Sequence, residues 1–201
     1  MGYQVNDDLP PGATPLSADE QDGLIPSIQT RGELNELEAA NIDRATSWAF
    51  GRGRRSAERD VITVDGLLDL HRRMFKDTWR WAGRIRRTDK NIGAPKEQIR
   101  ERLRILCDDV KFQIANETYS ADELAVRFHH RLVSIHLFAN GNGRHARLAA
   151  DILVRRLGNE PFSWGAVPLI AAGPSRSDYI QGLREADAAD IAKLLGFARS
   201  G

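Results

Sequence analysis

The 201-residue sequence predicts an all-α fold, a mainly helical domain carrying one small β-hairpin flap. Apolar residues recur at three- and four-residue steps in several separate segments, the spacing of a helix with one buried face. A single stretch, "RWAGRIRRTDKNIGAPKEQI" (80–99), breaks that rhythm, with Gly83, Gly93 and Pro95 set around alternating Ile and Arg/Thr. No internal repeat or low-complexity tract is present, and 41% hydrophobic with 28% charged residues is the composition of an ordinary globular chain.

In chain order, residues 1–29 are rich in Pro, Gly, Asp and Ser without sustained periodicity, and read as an extended arm draped over the body. Thr30 with Glu33 forms a capping-box signature. "ELNELEAANIDRATSWAF" behind it spaces Leu34, Leu37, Ala45 and Trp48 for one helix over 31–50. "GRGRRSAERD" (51–60) is a basic connection, better read as solvated linker than as an anion contact. "TVDGLLDLHRRMFKDTW" restores the helical pattern through Val64, Leu67, Leu68, Leu70, His71 and Met74. After the flap, helices are expected near 96–116, 121–137, 144–157 and 175–198, with Gly158 as a helix-ending residue. The chain thus divides into an arm (1–29), an N-terminal helix with linker of regulatory character (30–59) and a main domain (60–201).

Lys and Arg number 29 against 28 Asp and Glu, so no global field steers the chain toward nucleic acid or an anionic membrane, and any anion site is local. Cys107 is the lone cysteine, which rules out an internal disulfide framework and fits a reducing compartment. No run of about 18 apolar residues occurs, and the start of the chain lacks a basic, apolar leader, so a cytoplasmic setting is expected.

Chemistry concentrates in "HLFANGNGRHARLAADIL" (136–153). The helix before it buries Leu124, Phe128, Leu132 and Ile135 and delivers His136 at its end. Ala139 to Gly143 form a tight loop, and a new helix begins at about Arg144. A glycine-rich loop feeding a helix N-terminus offers unpaired N–H groups to a phosphate. Arg144 and Arg147, three residues apart, share one helical face and can grip the same polyphosphate. His136 on the opposite lip can take a proton from a hydroxyl attacking phosphorus. A structural turn and a DNA-backbone-binding helix-hairpin-helix compete with this reading. The latter normally has an apolar residue between its glycines, where this chain has Asn142, and it gives no reason for His136.

The segment resembles the signature of the Fic family, His-Pro-Phe-x-Asp/Glu-Gly-Asn-Gly-Arg-x-x-Arg, through His136, Phe138, Gly141, Asn142, Gly143, Arg144 and Arg147. "WAGRIR" (81–86) and "DYIQGLREAD" (178–187) extend the likeness over most of residues 60–198. The stretch "PPGATPLSADEQDGLIPSIQTRGELNELEAANI" is similar to the Fic subfamily called mobile mystery protein B. The resemblance implies a Fic-fold helical bundle with a β-hairpin flap, and transfer of AMP from ATP to a Ser, Thr or Tyr hydroxyl of a target protein. It casts His136 as general base, the backbone of Gly141, Asn142 and Gly143 as anion hole, Arg144 and Arg147 as β- and γ-phosphate ligands and Tyr179 as the adenine contact. Thr88, Asp89, Lys90, Asn91 and Ile92 become the flap that pairs with the target.

Two signature positions depart. Leu137 stands for proline, in a shaping role. Asn140 stands for the acidic residue that binds Mg²⁺ in the family, so weaker metal affinity, Mg²⁺ brought by the nucleotide, or an altered reaction such as phosphoryl transfer is implied. A catalytically silent fold that binds nucleotide or a partner is the alternative. Many Fic proteins are restrained by Ser/Thr-x-x-x-Glu-Gly/Asn, whose glutamate pairs with the second signature arginine, here Arg147. No Glu before residue 50 is followed by Gly or Asn, which leaves Glu33, Glu36 and Glu38 as candidate inhibitory residues.

Overall fold

The computed structural model describes residues 14–51, 60–166, 169 and 173–201. Residues 1–13 of the arm and 52–59 of the basic connection lie outside the described residues. The helices start where short hydroxyl side chains precede apolar periodicity. Ser17, Thr30, Thr63 and Ser120 each accept the N–H of the residue three positions on, at the heads of α1 (Ala18–Gln21), α2 (Arg31–Phe50), α3 (Val64–Phe75) and α5 (Ala121–Ile135). The remaining helices are α4 (Ile99–Ala115), α6 (Asn142–Arg156), α7 (Pro174–Asp187) and α8 (Ala192–Arg199). α6 ends at a Leu157 cap followed by Gly158 at φ +99°, the expected left-handed exit.

α5 and α6 pack on each other more extensively than any other pair. Ala125, Ala146, Ala149 and Ala150 are fully buried between larger residues, which lets the two axes approach closely. α4 lays Leu103, Leu106, Cys107 and Val110 against the core, and α2 lies across α3 and α6. Burial raises the Cys107 thiol to about 11, so it stays protonated at neutral pH. Trp79 and Trp164 are core residues, 1% and 7% exposed. No helix among the described residues is long and apolar enough to cross a membrane.

Four expectations need correction. The flap is not a β-hairpin: residues 84–95 form no ladder among the described residues, whose β-pairing is a single bridge between Leu24 and Trp79. Its two limbs bond instead to the end of α5, Arg86 N–H to Leu137 O and Ala94 N–H to Ile135 O, so the groups a hairpin would pair across are spent on a third segment. The arm is not extended throughout, because Ser17 and Glu20 form a reciprocal capping box around the one turn of α1. The helix expected over 175–198 is two: Ala189 turns at φ +70°, and Asp190 accepts the Ala192 N–H at the start of α8, so Ala186 and Leu194 both reach the core. α6 begins at Asn142, two residues early, because Gly141 at φ +80° reverses the chain before it.

Candidate active site

His136 caps α5 in a left-handed conformation (φ 57°, ψ 63°), which turns its ring away from the helix axis and toward the loop. Three neighbours hold that geometry. Arg86, 5% exposed, donates Nε to His136 O at 2.7 Å, NH1 to Thr88 O at 2.6 Å, and NH2 to Ala94 O, tying the flap to the histidine's own backbone. Gly93 (φ +97°) passes so close that a Cβ there would lie 2.4 Å from His136 Cβ. Asn142 staples the loop from within, its Oδ1 accepting Phe138 N–H at 2.9 Å and its Nδ2 donating to Phe138 O at 2.8 Å.

Beneath the loop lies buried His71. Its Nδ1 accepts the Gly83 N–H at 2.9 Å, so its Nε2 is the protonated nitrogen and donates to Asn140 O at 3.1 Å. Burial, with His145 and Arg144 nearby, keeps His71 neutral, and its ring stacks on Phe138 at 3.6 Å. Gly141 sits over the Phe75 ring, which a Cβ would enter at 2.6 Å.

On the other side of the loop α6 starts without a side-chain cap, so its first N–H groups and the positive end of its dipole face a cavity of about 410 Å³. Gly141 is partly withdrawn from the expected anion hole, because its N–H donates to Asn140 Oδ1 at 2.5 Å. Arg31, Arg144, Arg147, Arg176 and Arg184 line the cavity against Glu38 and Asp187, a cationic lining suited to a polyphosphate. Arg147 lies 5.4 Å over the Tyr179 ring and has no carboxylate within ion-pair range among the described residues. Tyr179 lines the cavity but is 6% exposed, and its hydroxyl pairs with His129 Nε2 at 3.0 Å.

Of the three glutamates, one reaches the site. Glu38 is 3% exposed; its Oε2 accepts from Arg144 NH1 at 2.6 Å and its Oε1 from Trp79 Nε1 at 2.7 Å. Its partner is the first signature arginine, not the expected Arg147. Glu33 is exposed and serves the N-terminus of α2, accepting the Gln29 N–H at 2.6 Å, and Glu36 is exposed on the outer face.

The Mg²⁺ expectation meets a poor donor set. Asn140 offers one neutral oxygen already bonded to Gly141, and no group of three His, Cys, Asp or Glu side chains among the described residues could hold a metal.

The arm and flap complete the site. Thr14 Oγ1 lies 3.4 Å from His136 Nε2. Glu20 accepts from Thr88 Oγ1 at 2.8 Å and from Lys90 Nζ at 2.5 Å, an ion pair whose side chains are 11% and 5% exposed. Asp89 accepts the Lys96 N–H, Asn91 is exposed, and Ile92, 45% exposed, lines the cavity. Burial, reinforced by Arg86 and Lys90, pushes His136 down to about 4 and keeps its imidazole neutral near pH 7. Arg86, His71, Thr14 and Glu20 were not singled out by sequence reasoning. Arg86 left a signal as the last residue of "WAGRIR", and Thr14 and Glu20 stand in the N-terminal stretch that carries the subfamily likeness.

A buried imidazole, an uncapped helix N-terminus and paired arginines around one cavity define the class of protein. Residues 61–154 match the family model described as the Fic/DOC family, and the chain contains a Fic/DOC domain. It is 31% identical over 68% of its length to the protein adenylyltransferase fic-1 of Caenorhabditis elegans, and 30% identical over 85% of its length to the protein adenylyltransferase Fic of Nematostella vectensis. It spans 26% and 39% of those two relatives. The solved structure of C. elegans Fic-1 (residues 134–508) superposes with a TM-score of 0.67 at 26% identity, over 89% of this chain and 51% of that one.

Proposed function

We propose that this chain is a protein adenylyltransferase, transferring AMP from ATP to a Ser, Thr or Tyr hydroxyl of a target protein with release of pyrophosphate. One observation carries the reading: a neutral histidine lining the cavity stands across a five-residue loop (137–141) from an uncapped helix N-terminus bearing Arg144 and Arg147. His136 acts as general base. The N–H groups of Asn142 and Gly143 with the α6 dipole stabilise charge on the α-phosphate, and Arg144 and Arg147 hold the outer phosphates. A polyphosphate placed there raises the basicity of His136 by favouring its cation, which brings a base of about 4 toward neutrality. Tyr179 borders the nucleotide through its ring edge, its hydroxyl being engaged by His129. Thr88 to Ile92 form the target side.

No step is assigned to a protein-held Mg²⁺. Any Mg²⁺ arrives on the nucleotide's own oxygens and water. Glu38 restrains the enzyme by occupying Arg144, in a domain layout of regulatory helix (30–59) and catalytic unit (60–201), a cytoplasmic setting and the mobile mystery protein B subfamily.

Incubation with ATP labelled on the α- or the γ-phosphate tests the proposal. Label from the α-phosphate alone is expected on protein, and none with His136→Ala. Label from the γ-phosphate would replace the proposal by phosphoryl transfer, and neither label in the native chain or in Glu38→Gln, with ATP still bound, by a binding fold.

A further inference from the structure

The arm does more than cover the body. It crosses the flap and delivers a hydroxyl to the histidine. Leu16, 4% exposed, anchors it in the core, two residues from Thr14. Lys90 of the flap donates to Pro15 O at 3.0 Å and to Glu20 at 2.5 Å, Thr88 donates to the same carboxylate, and Trp81 Nε1 donates to Glu20 O at 2.9 Å. Downstream, Arg80 N–H bonds to Gly23 O and Ile25 N–H to Thr78 O. Residues 15–20 are therefore fixed on Thr88 and Lys90, flap residues assigned to an incoming target, and residues 20–25 on the segment 78–81 that precedes the flap. Thr14 Oγ1 ends this path 3.4 Å from His136 Nε2 and lines the same cavity as Asn142, Gly143, Arg144 and Arg147.

We propose that Thr14 is an acceptor hydroxyl carried in cis, the arm being a tethered substrate that the flap holds against His136. The proposal rests on the adenylyltransferase reading. With a nucleoside triphosphate in the cavity, Thr14 Oγ attacks the α-phosphorus and its proton passes to His136 Nε2. The bond between the α-phosphorus and the bridging oxygen breaks, and pyrophosphate leaves with the electron pair, giving a threonyl phosphodiester to the nucleoside. Tethering removes the orientational search a separate target must make, so the intramolecular acceptor competes at high effective concentration. An external target gains the flap only when the arm leaves it.

The test uses the full chain, as wild type and as Glu38→Gln to free Arg144, with ATP labelled on the α-phosphate, peptide mass spectrometry and a pyrophosphate assay. The expected result is AMP on Thr14 at a first-order rate unchanged by dilution of the protein, lost in Thr14→Ala and kept in Thr14→Ser. Glu20→Ala, which unfastens the arm, should slow cis labelling roughly tenfold while raising labelling of an added hydroxyl-bearing protein. Pyrophosphate release with label on other residues, label undiminished by Thr14→Ala, or a rate proportional to protein concentration overturns the cis acceptor and leaves the transferase reading standing. Absence of both label and pyrophosphate in wild type and Glu38→Gln overturns both.

Discussion

The two walls of the site are built differently. The phosphate wall, α5 through α6, is made of consecutive residues: a helix end, a stapled loop and a helix start within 136–147, each fixed by local bonds such as the Asn142 pair to Phe138. The flap wall, 84–95, has no regular structure of its own and takes its shape from distant partners, Arg86 reaching His136 and Glu20 reaching Thr88 and Lys90. A wall made by sequence neighbours survives the loss of one contact, whereas a wall hung from a few long-range side chains does not.

Acid should attack the phosphate wall, and most severely. His136 and His145 each sit near 4 in the folded chain, by burial in both cases, against an ordinary value of 6.5. Between those values the unfolded chain binds more protons, so stability is full above about 6.5 and falls as the pH drops toward 4. At about 1.4 kcal/mol per unit the loss is on the order of 3 kcal/mol for each histidine. Urea titrations from pH 7 to pH 4 check the slope, and a flat profile would mean that neither imidazole is buried neutral.

Arg86→Ala separates the walls. It leaves three backbone carbonyls without their cationic donor and should cost about 3 kcal/mol, with cleavage by a protease first appearing in 84–95 while 136–147 stays protected. Equal exposure of both segments would erase the distinction. Gly93→Ala acts at the seam between them. Its Cβ displaces His136, so kcat should fall about a hundredfold with nucleotide affinity kept, as isothermal titration would show. The mildest change touches only the phosphate wall: Glu38→Gln releases Arg144 and should tighten nucleotide binding by roughly tenfold.

The same difference decided what could be read from the chain. α2, α3 and α5 start as expected because Thr30, Thr63 and Ser120 cap them locally, and the His136 to Arg147 cluster is one contiguous stretch. The missing hairpin ladder, the Arg86 clamp and the His71 bridge depend on partners up to 69 positions away, and alternation over 84–92 carries no trace of where its backbone groups will bond. Glu38 was legible only as one of three. Its choice of Arg144 over Arg147 is set by the packing of α2 on α3 and α6, which also brings Trp79 to its second oxygen.

Cys107 gives the molecule an internal clock. A thiol that is buried, alone in the chain and held near 11 is inert toward alkylating reagents at neutral pH unless α4 lifts from the core. Its rate of modification therefore counts openings of the α4–α5 contact in the native sequence, with no label introduced. The slowing of that rate by a ligand reports how strongly the occupied cavity braces α4, a helix that does not line it.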